Sequence, residues 1–262
     1  MSHDHAGLLP LGVLAAVAVA YLVLAARATG WDPWRTASFA CGVVLAAAAV
    51  SGPVPLLAMT DFRGHMLQHL LIGMLAPLGL VLGAPVTLLL RSLPPVAGKR
   101  LGRTLRSRPF HLLANPWTAL TLSTGAMAAL YCTPLYRLTS TTPSLHHTLH
   151  AHFLLSGYLF TWSIAGPDPA PNRPPVPHRL LTLGVAIAAH ATLSQLMYAG
   201  LLVDIPAPAD QLRGAAELMY YGGDIAELLL AFALVSHWRP AYRRTTAPDP
   251  PYHFPPARRR IE

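Results

Sequence analysis

Histidines at helical spacing are the residues of this chain best suited to chemistry. His65 and His69 are four apart, His146 and His150 repeat that interval, and His147 stands three before His150. Four residues advance an α-helix by about 400°, so each pair projects two imidazoles from one face, one turn apart. A helix that gives one ion two nitrogen ligands uses this spacing. If the helices carrying the pairs are neighbours, up to four imidazoles meet at one depth, with His147 an alternative to His146; the sequence leaves that adjacency open. Met66 and Cys132, with Met59 and Met197, fall near the same level. Imidazole with thioether or thiol suits copper, while haem iron with two axial imidazoles and zinc are the alternatives. The plainer reading is a set of interfacial polar side chains with their tips in water. Because imidazole must be neutral to bind a metal, affinity is expected to fall as pH drops through about 6.5.

A second group lies deeper. His190, Asp224 and Glu227 sit well inside long apolar stretches, and an ionisable group at bilayer depth costs at least about 2.5 kcal/mol on insertion scales, so it faces a partner or a water-filled cavity. His190 and Asp224 are expected near the midplane, where they could pair. Glu217, Asp224 and Glu227 read as one face of their helix, with Tyr220 and Tyr221 beside it. Such a group either fixes helix packing or carries protons or metal ions. No nucleophile elbow, phosphate loop or zinc-protease motif occurs, and the HxxxH pairs lack the glutamate that follows the first histidine in metalloproteases. A non-enzymatic protein is expected.

The elements that must position these residues are membrane helices. Hydrophobic residues make up 53% of the 262 positions and charged ones 11%, against roughly 25% charged in soluble domains. Seven apolar blocks, each near the length that spans a bilayer, run over 8–26, 37–57, 65–90, 116–136, 145–165, 180–202 and 215–237. The fold class expected is an all-α, seven-helix integral membrane bundle forming one domain, 1–238. Met1 to Gly7 has no Lys or Arg, so the first block is read as a retained helix, not a cleaved signal. Lys and Arg set the orientation. Only Arg63, Arg137 and Arg213 fall on one side and the other 16 of 19 on the opposite side, which puts the N-terminus outside and the C-terminus in the cytoplasm. The net charge of +8 is then attraction to anionic lipid and not a nucleic-acid footprint. Asn115-Pro116 and Thr142-Pro143 mark helix starts. Gly73, Pro77, Gly79, Gly83 and Pro85 make the third block either a packing helix or one broken beside a site. Trp31, Trp34, Trp117, Trp162 and Trp238 read as interfacial anchors. The Pro- and Arg-rich tail, 239–262, is expected to be disordered and lipid-associated, and a Cys41–Cys132 disulfide is not expected, since the two fall at opposite membrane faces.

From His65-Met66-Leu67-Gln68-His69 through Ala76-Pro77 to Leu82-Gly83-Ala84-Pro85, the chain resembles the seven-helix cytochrome c oxidase assembly factor family called CtaG. Further matches are the histidine cluster leading into Phe153-Leu154-Leu155-Ser156-Gly157-Tyr158-Leu159-Phe160, then Gly166-Pro167-Asp168-Pro169, and Asp210-Gln211 before Gly214. The likeness extends from Trp31 to about Trp238. It implies a multi-pass protein of the bacterial plasma membrane that helps assemble caa-type oxidase, with a part in copper supply and an oxidase subunit as partner. His65 and His69 fall on the family's paired histidines, and His146, His147 and His150 on its second cluster. Tyr220 and Thr161 depart from the pattern, the first where a tryptophan is expected and the second where an aromatic precedes Trp162. A copper or proton transporter using the buried group, and a bis-histidine haem protein, are the rival readings.

Overall fold

Some helix starts carry their own local signal. Asp32 accepts a hydrogen bond from the Trp34 N–H at 3.0 Å and Asn115 one from Trp117 N–H at 2.9 Å, each followed by a proline in the first turn; the side chain satisfies a backbone donor that the helix leaves free. Thr142 makes no such bond, although the helix does begin at Pro143.

The structure is a computed structural model describing residues 3–236; the tail 239–262 and Trp238 lie outside the described residues. In chain order the helices are α1 (His3–Arg27), α2 (Pro33–Val50), α3 (Pro53–Thr60), α4 (Phe62–Leu70), α5 (Ala76–Leu82), α6 (Pro85–Ser92), α7 (Pro95–Leu105), α8 (Arg108–Leu113), α9 (Pro116–Leu120), α10 (Ala126–Cys132), α11 (Leu135–Thr141), α12 (Pro143–Ala165), α13 (Val176–Ala199) and α14 (Ala209–Ser236). One turn of π-helix, Leu71–Leu75, joins α4 to α5, and another, Thr121–Gly125, joins α9 to α10. No strand occurs among the described residues.

Five of these helical stretches are long and apolar enough to cross a membrane: Leu9–Arg27, Pro33–Val50, Phe62–Ser92, Val176–Ala199 and Ala209–Ser236. The other two expected blocks are helical as well, the 116–132 stretch interrupted by its π turn and α12 made more polar by four histidines. Val44, Leu155, Leu181, Leu228 and Phe232 are all at least 60% exposed. A surface lined with such side chains is at home in hydrocarbon and not in water. This is a membrane protein.

Several boundaries differ from the sequence reading. The 37–57 block is two helices, because Gly52 adopts φ +72° and turns the chain between α2 and α3. The third block begins at Phe62, not His65, and breaks at Gly83-Ala84, where Ala84 is left-handed (φ 51°) and Pro85 opens α6. The fourth block ends at Cys132, with Pro134 preceding the separate α11. The connection from Arg91 to Asn115 holds α7, an amphipathic helix bearing Lys99, Arg100 and Arg103, suited to lie along a headgroup surface. Trp162 is buried against Val81 and Ala114 and is a core residue instead of an interfacial anchor. Cys41 and Cys132 are both free and exposed.

Candidate functional site

The start of α4 is held from three directions. Asp61 accepts from the Arg63 N–H at 2.8 Å, Gln211 Oε1 accepts from the Phe62 N–H at 3.1 Å, and Gln68 Nε2 donates to the Ala49 carbonyl at 2.7 Å. The Arg63 side chain hydrogen-bonded to Asp61 holds that carboxyl below the ordinary carboxylate range. These bonds fix the rotation of α4, and with it the direction in which His65 and His69 leave the helix.

The adjacency that the sequence leaves open is present. α12 packs along the Leu71–Leu75 turn and α5, and it approaches so closely that a Cβ on Gly157 would overlap the Gly73 carbonyl. Only glycine fits there. The contact brings His146 and His150 beside the α4 pair, and His65, His69, His146 and His150 line one cavity of about 10 Å³, with Thr139 and Phe153 among its other walls. That is room for roughly one water-sized particle. The His146 and His150 rings are 4.2 Å apart between centroids. His65 stacks on Phe62 at 5.5 Å and meets Tyr136 edge-on at 5.1 Å, and its Nε2 is buried with no hydrogen-bond partner. His69 is buried, edge-on to Phe153 at 4.3 Å, with Nε2 3.3 Å from Met127 Sδ. Among the described residues no three His, Cys, Asp or Glu groups are disposed as a ready metal cage, so closure on an ion requires the rings to turn.

Other expected ligands lie elsewhere. His147 is exposed and outside the cavity, as is Cys132. Met66 is buried with its sulfur 4.0 Å from the Tyr131 hydroxyl. Met59 is 78% exposed, and Met197 lies in the core. Met127 escaped the sequence reading, although it stands four residues before Tyr131, one turn away on the same buried face.

His69 also lines a second, larger cavity of about 50 Å³, shared with Met127, His190 and Glu227. His190 Nδ1 is 3.6 Å from Glu227 Oε1, both side chains 5% exposed. The partner of His190 is therefore Glu227 and not Asp224, which is half-buried and lines neither cavity. Glu217 is exposed, so the three acids do not share one environment: about 100° per residue turns Glu227 some 60° away from Asp224. A Cβ on Gly223 would enter the His190 ring, which explains the glycine where α13 and α14 meet. His152 Nε2 lies 3.0 Å from the carbonyl of Leu122, inside the Thr121–Gly125 turn.

The model of the cytochrome c oxidase caa3 assembly factor family matches residues 17–241. The chain belongs to that family. An uncharacterized protein of Mycobacterium bovis and one of Mycobacterium tuberculosis are each 30% identical over 258 residues, covering 90% of this chain and 39% of theirs. An uncharacterized protein of Mycobacterium leprae is 29% identical over 228 residues, covering 79% of this chain and 34% of its own. The chain thus spans about two fifths or less of the length of these curated relatives. No solved structure matches it.

In this member of the family the segments behind the resemblance divide by task. Asp210-Gln211 steadies α4 through Gln211, as above. Asp168 of Gly166-Pro167-Asp168-Pro169 is 1% exposed and accepts from Val86 N (3.1 Å), Thr87 N (2.7 Å) and Thr87 Oγ1 (2.6 Å), capping α6 after the left-handed Ala84. Arg173 donates to the Asp168 carbonyl at 2.8 Å. That carboxylate is structural, and a Pro-flanked aspartate in a short basic-side loop was its sequence signal.

Proposed function

We propose that this protein is a non-enzymatic assembly factor that holds copper at the outer membrane face through His65, His69, His146 and His150 and hands it to a cytochrome c oxidase subunit. The observation that carries the reading is the single cavity these four imidazoles line, with the His65 Nε2 buried and unpartnered inside it. A buried ring nitrogen without a partner is costly, and a bound cation would satisfy it. Imidazole donors fit copper, with zinc and haem iron as the competing occupants. Family membership supports the assembly role.

The topology that accompanies this reading has seven spans, with the N-terminus outside and the bilayer that of a bacterial plasma membrane. It is supported by the way the three outer basic residues are occupied: Arg63 pairs with Asp61, Arg137 with Asp204, and Arg213 lies over the Tyr198 ring. His65 and Thr139, which line the histidine cavity, each stand two residues from one of these arginines, and Lys99, Arg100 and Arg103 of α7 belong to the opposite basic set.

Metal analysis of the purified protein, followed by copper titration of a His69→Ala, His150→Ala double variant, tests the site. Copper as the bound metal, and sharply weakened binding in the variant, are expected. Unchanged stoichiometry and affinity in a folded variant would sink it, and a haem Soret band in the purified protein would replace copper with haem.

A further inference from the structure

We propose that the cavity bounded by His69, Met127, His190 and Glu227 is a second metal site, inside the membrane, that takes a soft monovalent cation, copper(I). The inference rests on the outer histidines only for the source of the ion.

Four observations converge on it. The cavity, at about 50 Å³, is the larger of the two, ample for an ion with residual water. Both π-helical turns border it, the first through Gly73 and Met74 and the second through Ser123 and Thr124. A π turn inside an α-helix recurs at functional sites, because the extra residue frees backbone groups and re-aims side chains. Two such turns face this one cavity. Third, Glu227 Oε2 is buried without a hydrogen-bond partner, on a side chain 5% exposed. Finally, the lining combines the His69 and His190 imidazoles and the Met127 and Met74 side chains with that one carboxylate, and these groups must turn inward to close on an ion.

Charge selects the ion. One buried carboxylate neutralises a single positive charge, whereas a divalent ion would leave an uncompensated charge in hydrocarbon. Imidazole with thioether favours a soft ion over sodium or potassium. His69 walls both cavities and its Nε2 already lies 3.3 Å from Met127 Sδ, so the neutral ring, with a single lone pair to give, serves one ion at a time and is placed to serve either. Glu227 Oε1 also lies 3.6 Å from His190 Nδ1, so an ion in the cavity competes with that ring for the one carboxylate.

The experiment is anaerobic copper(I) titration of the full chain in lipid nanodiscs against a chromophoric copper(I) chelator, with X-ray absorption at the copper edge. Wild type is expected to bind two equivalents. Met127→Leu and Glu227→Gln should each bind one, with unfolding temperatures near wild type, and Met127→Leu should lose sulfur from the copper shell. The double variant His65→Ala, His146→Ala alters residues that line only the outer cavity, and should keep one copper with a sulfur neighbour. Two equivalents retained in both Met127→Leu and Glu227→Gln would overturn the inner site. So would an outer double variant that binds no copper, which leaves the outer site standing. An outer double variant that keeps both equivalents would instead overturn the outer site alone.

Discussion

His65, His69, His146 and His150 differ from the remaining histidines in what surrounds them. His178 accepts from Trp117 Nε1 at 3.0 Å and His111 lies 3.3 Å from Asn172 Nδ2, both away from the cavity. Alanine at any one of the four is expected to weaken copper binding at least tenfold, about 1.4 kcal/mol, while His111→Ala and His178→Ala leave it unchanged in the same titration. Equal loss at all six positions would mean unfolding and not ligation. Asp224 invites a different expectation from the one its sequence position suggests. Being half-buried and outside both cavities, Asp224→Asn should retain wild-type copper stoichiometry and unfolding temperature, whereas Glu227→Gln should not retain the stoichiometry.

At the scale of the element, one close approach sets the site and one cap sets only the stability of α6. Gly157 against the Gly73 carbonyl sets the spacing of α12 from the third block, and backbone has no rotamer with which to yield. Gly157→Ala is therefore expected to destabilise the protein by about 1–3 kcal/mol, the usual cost of overpacking, and to weaken copper binding with it. Asp168→Ala strips three hydrogen bonds from the start of α6. Leaving the half-buried Val86 and Thr87 N–H groups without this partner should cost about 1–3 kcal/mol without changing copper affinity in the fraction that remains folded. Thermal unfolding in detergent followed by circular dichroism, with copper titration alongside, separates these two outcomes.

For the whole molecule the decisive quantity is which side each loop faces. Reporter fusions after Arg108 and after Arg243 are expected to report cytoplasm, and one after Arg213 the outside. A cytoplasmic signal after Arg213 would place the histidine cavity on the wrong face for delivery to an outer oxidase domain. The exposed apolar side chains belong to the same scale, since they fix the solvent.

Composition and spacing alone were enough for the helical class, the membrane setting and the two imidazole pairs, because hydrocarbon demands long apolar helices and a helix repeats its face every three to four residues. They were also enough for the family, through the run from His65 to Pro85. Contacts between helices are not encoded in any local period, so tertiary structure decided the rest. It set α12 beside the third block, excluded His147 and Cys132 from the cavity, and gave His190 to Glu227 in place of Asp224. It also introduced Met127, invisible as a ligand until its helix was docked. The Thr121–Gly125 π turn is met by the same packing, its Leu122 carbonyl lying 3.0 Å from His152 Nε2 of α12.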